Sequence, residues 1–329
     1  VRSLLLSFYL LSADQADYDG KNLIFSGKFQ VDHPMGVLQA EKATLRDLQL
    51  HRPEKKGSHL TLENGVSISV KRSKTPFSIR SLRAICELPP TSLFPLFQFQ
   101  ELQFFDDVEI QTTENISARG GSAVYKIGSL TLYPAIPTAR CQLLRNQDRI
   151  EANEIRFDLL KEELHCKGAQ GSLLPSSQEL PLRFAANELL WKKQEAELFL
   201  EEEVSIEQEN RFSVHSDRAF LSLGEEKTPR LFLLENNVRL YSSSIQGKES
   251  FSIADRVSFS PQEGTIVLSA SFPKRVLFWQ EGLNLSAPEI SIKKDPATKK
   301  ETIEGKGDVH FAFDTEEKNI IEQLLSKYL

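Results

Sequence analysis

The stretch LIFSGKFQV, Leu23 to Val31, places apolar residues at Leu23, Phe25, Phe29 and Val31, all of one parity, with Gly27 where the next would fall. Strand side chains alternate faces with a period of two, so this pattern is a strand interrupted by a corner. The chain writes the same broken strand again as LTLENGVSI (Leu60 to Ile68), LQFFDDVEI (Leu102 to Ile110), LFLEEEVSI (Leu198 to Ile206) and FLLENNVRL (Phe232 to Leu240). Each copy keeps two apolar positions, a small or polar break, and two more apolar positions. IEGKGDVHF (Ile303 to Phe311) reads as a glycine-rich version, with Phe311 facing inward. Periodicity of this kind decides architecture before any motif does.

A second half-motif alternates with the first. It is Ala or Ser, then usually an acidic or amide residue, then apolar residues three and five places on: AEKATL at Ala40, ANEIRF at Ala152, ANELLW at Ala186, SDRAFL at Ser216, ADRVSF at Ala254 and APEISI at Ala287. ADQADY at Ala13 belongs with them, and SLRAIC at Ser81 and GGSAVY at Gly120 are weaker copies. Spacing three and then two slips the alternation by one residue, which requires a bulge at the acidic position. The pattern therefore predicts an all-β chain: a stack of bent antiparallel strand pairs in two facing sheets with an apolar lumen and unsealed ends. Proline stretches interrupt it at Glu87 to Leu96, Tyr133 to Arg140 and Leu173 to Pro181, because proline cannot serve a central strand. A sub-boundary is placed near 134–140.

Only the ends differ. The opening VRSLLLSFYLLS, residues 1–12, has two readings: the end of a secretion signal, or an edge strand in which Leu4, Leu6, Phe8 and Leu10 alternate. The body of the fold spans 13–313. The last stretch, 314–329, changes to a helical period with a stripe of Ile320, Ile321, Leu324, Leu325 and Tyr328 and with Glu316 and Glu317 in its first turn.

Composition narrows the function classes. At 329 residues and 40% hydrophobic the chain can build a sizeable core. A net charge of -6 without a basic stripe argues against nucleic acid as a partner. Cys86, Cys141 and Cys166 fall in no metal-ligand spacing and read as small buried hydrophobes, with a Cys141 to Cys166 bridge left open. The six histidines are scattered, and no GxSxG, HExxH or Walker-type string occurs. No enzyme activity, cofactor or metal is expected, and the cluster Glu201 to Glu203 reads as a charged corner with only Glu202 turned inward.

The string SADQADYDGKNLIFSGKFQVDHPMGVLQAEKATL, Ser12 to Leu45, resembles the opening unit of OstA-like domains, those of the lipopolysaccharide-transport proteins LptA and LptC and of the N-terminal region of LptD. The matching elements are Ala13-Asp14-Gln15, the turn Asp17 to Gly20, the Ser26-Gly27 break, Phe29-Gln30-Val31 and Ala40-Glu41-Lys42-Ala43. The resemblance implies an open, twisted β-jelly roll in the periplasm. Such a protein carries lipopolysaccharide towards the outer membrane with its acyl chains in the lumen. It also implies edge-strand pairing with other OstA-like or Lpt proteins or with copies of itself, and tethering to the inner membrane if an anchor precedes this chain. The expected lumen residues are Phe25, Phe29, Val31, Val66, Ile68, Val108, Ile110, Val204, Ile206, Val238 and Leu240. A structural β-solenoid with a packed interior is the alternative; repeated Ala and Gly positions argue for room, and aromatic in-facing residues argue for closure.

Overall fold

The computed structural model describes residues 10–33, 36–46, 59–71, 76–87, 101–126, 128–174, 180–209, 211–224, 229–243, 249–294 and 301–328. Among them are 23 strands and one helix, and every strand pairing is antiparallel. The protein is all-β with a short C-terminal helix. It divides into two compact units, residues 1–167 and 168–329.

The first unit opens with the short strands β1 (Leu10–Ser12) and β2 (Gln15–Tyr18), both laid along β3 (Leu23–His33). A meander follows through β4 (Gly36–Arg46), β5 (His59–Val70), β6 (Phe77–Glu87), β7 (Glu101–Thr112) and β8 (Ile116–Lys126), each strand paired with the next. The register shifts once in the middle of every pairing. Ser26 faces Lys42 and Phe29 faces Ala40, so Gly27 and Lys28 stand opposite Glu41 alone. Asn64 and Gly65 likewise oppose Leu82, and Asp106 and Asp107 oppose Gly121. These doubled residues hold left-handed backbone: φ is 63° at Asn64 and 77° at Gly65, 66° and 54° at the two aspartates. Asn, Asp and Gly tolerate that region best, which is why the breaks are written with them. The extra residue of each bulge thus lies in the break of the first half-motif, and the position after the small residue of the second half-motif, Glu41, Leu82 or Gly121, is the single residue opposite it, which corrects the expected placing of the bulge at the acidic position.

At β8 the sheet forks. Ile116–Arg119 continues to β10 (Cys141–Arg145), while Ser122–Lys126 continues to β9 (Ser129–Tyr133), and the proline stretch after Tyr133 joins the two. Beyond the fork, β11 (Asp148–Ala152) lies along β10, and β12 (Glu154–Asp158) along β9. Strand β13 (Glu163–Leu173), which begins in this unit, pairs with β12.

The second unit repeats the plan. Strands β14 (Leu182–Lys192), β15 (Glu197–Gln208), β16 (Phe212–Leu223), β17 (Pro229–Ser243) and β18 (Glu249–Ser260) form the bent meander. Paired left-handed residues again mark the bends, Glu202 with Glu203 and Asn236 with Asn237. β18 then forks: Ser250–Ile253 pairs with β20 (Val276–Gln280) and Arg256–Ser260 with β19 (Thr265–Ser269). β21 (Leu283–Ala287) follows β20, β22 (Glu289–Lys294) follows β19, and β23 (Glu301–Lys306) lies along β22. Helix α1 spans Thr315–Tyr328 and opens on a capping box: Asp314 Oδ1 accepts from the Glu317 amide at 2.8 Å, and Glu317 Oε2 accepts from the Asp314 amide at 2.9 Å.

Three further sequence expectations are corrected. Ile303 to Phe311 is not a second broken strand: β23 ends at Lys306, Gly307 turns the chain with φ of 90°, and Phe311 is 75% exposed. The turn is set by a two-way backbone bridge between His310 and Ser286, which carries the chain off towards the helix. Glu202 does not point inward, because the left-handed bend leaves Glu201, Glu202 and Glu203 all exposed. In the helical stripe Ile321 is buried but Ile320 is exposed; the side chains of Leu324, Leu325 and Tyr328 lie outside the described residues. Residues 1–9 and most of the proline stretches after Glu87 and Leu174 also lie outside them.

Candidate functional site

The bend turns each long strand into two arms, and alternation then puts one set of side chains of both arms on the inside. In the first unit the inner stripe of one arm runs in register through Val31, Leu38, Ile68, Ile79, Ile110, Ala118, Leu143 and Ile150. On the other arm it runs through Phe25, Ala43, Leu62, Ala84, Phe104, Ala123, Leu132 and Ile155. All sixteen are buried. Fully burying a Val, Leu, Ile or Phe side chain contributes about 1.5–3 kcal/mol, so these stripes are the main source of cohesion.

Of the predicted lumen residues, Phe25, Phe29, Val31, Val66, Ile68, Val108 and Ile110 belong to the first unit and are buried there. Val204, Ile206 and Val238 are buried in the second, where Leu240 is half-buried. Seven of the eleven thus lie in the first unit and four in the second. Which of them touches a ligand is a separate question from their burial.

The alanines stand between large residues. Ala43 stands between Phe25 and Leu62, and Ala84 between Leu62 and Phe104, so a small residue alternates with a large one across the arm. Large and small side chains interleaved in this way fill an interior at core density. The Phe25 and Phe29 rings meet across the bend at 5.3 Å between centroids. Far from the bend, Phe77 of one arm reaches Tyr125 of the other at 6.1 Å. Burial pushes the Tyr125 phenol up from its ordinary value. The bend itself is lined by small residues. Ser81 and Ser216, both buried, satisfy their hydroxyls on the carbonyls of Arg83 and Arg218 at 3.0 Å, which lets serine replace alanine at this point of the motif.

The second unit has the same two arms. Its inner stripes run through Phe184, Ile206, Val214, Leu240, Ser252 and Phe278 on one arm and through Leu189, Leu200, Ala219, Leu234, Val257 and Leu268 on the other. Between them, at the end nearest Leu173, lies a recess of about 320 Å³ including its part open to solvent. Phe184 and Ile206 line it from one arm, and Leu198, Leu200, Leu221 and Phe232 from the other. No charged side chain lines it. Its enclosed part is only about 20 Å³, the room of about one water molecule and far below the roughly 300–1,000 Å³ of small-molecule clefts, so a larger ligand enters it only by parting the arms. Among the predicted residues Ile206 is the one on its wall; parity along β14 and β16 could have added Phe184, Ala219 and Leu221.

Cys86, Cys141 and Cys166 are buried, and none of them forms a disulfide. Burial, aided by the nearby Glu154 carboxylate, pushes the Cys141 thiol up to about 12, which keeps it protonated and unreactive at neutral pH. Among the described residues no group of His, Cys, Asp and Glu is placed to hold a metal ion, and no helix is long and apolar enough to cross a membrane.

No protein-family model and no curated protein matches the chain. Among solved structures, the crystal structure of LptH, described as the LptA-homologous periplasmic component of the conserved lipopolysaccharide transport device from Pseudomonas aeruginosa, aligns with 41% of this chain and 96% of its own. The identity is 9% and the TM-score 0.35, a likeness too distant to carry fold or function across.

Proposed function

We propose that this protein is a lipid carrier that shelters acyl chains in the apolar interior of its second unit and joins neighbouring strand-built proteins through its free sheet edge. The observation that carries the reading is the recess walled by Phe184, Leu200, Ile206 and Phe232, apolar on both arms. Each methylene moved out of water into such a recess contributes about 0.8 kcal/mol, so a fatty tail is the ligand this chemistry recognises. The resemblance of Ser12 to Leu45 to the opening unit of OstA-like domains supports lipopolysaccharide as the lipid and the periplasm as the place. β1 and β2 support the joining role: among the described residues they pair with β3 only, leaving their outer backbone edge available for strand addition.

A structural β-solenoid is the second reading, favoured by the first unit. There Phe25, Ala43, Leu62, Ala84 and Phe104 alternate large with small side chains, and Phe77 meets Tyr125 across the arms, as a packed interior requires. Site-specific photo-crosslinking to radiolabelled lipopolysaccharide separates the two. Probes at Ile206 and Leu200 label the lipid, and probes at their outward neighbours Ser205 and Glu201 do not. Labelling from the outward positions alone, or from none, removes the carrier reading and leaves the scaffold.

A further inference from the structure

The two forks are closed by different means. In the first, β11 and β12 run across both arms with only Asn153 between them, and the Asn153 amide donates to the Lys167 carbonyl at 2.8 Å. In the second, β21 and β22 cross in the same way around Pro288, but β23 then covers β22 alone. The other arm, the β20–β21 hairpin, is bordered by a single bridge from His310 to Ser286 and by the helix-bearing segment.

That segment is tied to the fork by a relay of polar groups. The Arg275 Nε, at the end of the loop joining β19 to β20, donates to Ser286 Oγ at 2.9 Å, and Ser286 Oγ donates to Glu317 Oε1 at 2.6 Å. Arg275 also donates to the Ser286 carbonyl at 2.9 Å, to the Asp308 carbonyl, and to Asp308 Oδ2 at 3.2 Å. Ser286 is fully buried and Glu317 is 9% exposed. Beside the relay, Phe313 and Ile321 pack on Phe251 and Leu277, with Tyr241, Ile253 and Trp279 at the margin. These residues have the outward parity of β17, β18 and β20, the opposite of Leu240, Ser252 and Phe278. The helix therefore sits on the outside of the very arm that lacks a full bordering strand.

We propose that residues 307–328 are a latch on the β20–β21 arm: docked, they hold the second fork shut; released, they let that hairpin swing away and bare Val276, Phe278 and Leu285 of the interior. Without the latch the hairpin keeps the four residue pairs between Ser250–Ile253 and Leu277–Gln280, its inward packing, and its covalent links at Pro288 and, through the Asp255-held loop, at Arg275. Local opening of this kind draws on the weakest-bordered element of a fold, since its free energy is a fraction of the global value. As a route for acyl chains, though not as a latch, the inference rests on the carrier reading.

Hydrogen exchange on the full chain tests the latch without any lipid. Glu317→Ala and the milder Ser286→Ala each strip the relay of a charge-assisted bond and speed exchange in 276–287 by about tenfold or more, with β14 to β16 and the first unit unchanged. Glu151→Ala, at the position of the first fork that corresponds to Ser286, leaves exchange in β10 and β11 within about twofold. Acceleration spread evenly over the second unit, or none in 276–287, overturns the latch. Uptake of a fluorescent fatty acid is followed in parallel: faster filling in Ser286→Ala than in the parent supports the route, whereas no uptake by either with exchange still localised defeats the carrier reading and leaves the latch standing.

Discussion

Corresponding positions of the two forks, matched through their pairings, differ on their outer faces, which are apolar throughout in the second and mostly polar in the first. Where the second fork has Tyr241, Phe251, Ile253, Leu277 and Trp279, the first has Gln111, Ser117, Arg119, Gln142 and Leu144. The backbone plan is shared and the inner faces are apolar in both. What differs is whether anything covers the outside: Phe313 and Ile321 do so in the second unit, and in the first Arg119 forms an exposed ion pair with Glu109 at 3.1 Å. Outer-face composition thus records covering, while inner-face composition records the fold.

The residue opposite each double bend shows the same divergence. It is Gly121 in the first fork and Asp255 in the second. A Cβ on Gly121 would sit 2.5 Å from the Ala135 backbone nitrogen and closer still to its Cα, so the chain leaving β9 lies directly against this glycine. Asp255 instead holds its fork loop by accepting from the Ser271 amide and the Lys274 ammonium, each at 2.9 Å. Exchanging the two residues is the strongest way to break the comparison. Gly121→Asp must displace backbone and costs about 4 kcal/mol or prevents the first unit from folding. Denaturant unfolding followed by near-ultraviolet signals checks it, and a loss below about 1 kcal/mol would mean that the loop can move aside.

A smaller effect sharpens the covering argument. Phe251→Ser, which writes the first unit's Ser117 into the second, removes a buried ring from beneath the helix and costs about 3–4 kcal/mol, with loss of helical circular dichroism before global unfolding. Ser117→Phe, the reverse change, has no covering helix to meet and alters stability by less than about 0.5 kcal/mol.

Much of this was legible in the sequence, and the part that was not has a physical cause. The bent strands and their inner faces follow from Leu60, Leu62, Val66 and Ile68 and from Ala40, Ala43 and Leu45, because period two and its slip are local properties of the chain. The forks were hidden. β9, β10, β19 and β20 are five residues each, too short for a periodic signal, and their partners lie on opposite halves of one earlier strand. The covered outer face did leave a trace: Val276-Leu277-Phe278-Trp279 is a continuous apolar run, the mark of a strand buried on both sides. Phe311 misled because its parity fits the motif, whereas the His310 to Ser286 bridge that turns it outward is a non-local bond. The recess at Ile206 depends on how completely side chains fill the space between arms, which no alternation pattern encodes.

The smallest expected effect separates the two ways of closing a fork by their response to acid. Hydrogen bonds from the Ser271 amide first, and from Lys274 second, hold the Asp255 carboxyl below the ordinary aspartate value. A carboxylate depressed in the folded state stabilises it above the unfolded value of about 3.9, and that contribution fades as pH falls through the folded value. Asp255→Asn therefore costs about 1 kcal/mol at neutral pH, and the gap between parent and variant closes below about pH 4. Gly121 has no charge to lose, so the corresponding loop of the first fork contributes nothing to that gap. Exchange at the Ser271 amide, compared between parent and variant from pH 6 to pH 3, reads the difference directly. A gap that persists undiminished at the acid end would assign the hold on this loop to contacts other than the carboxylate, such as the hydrogen bond from the Ala270 amide to the Pro288 carbonyl.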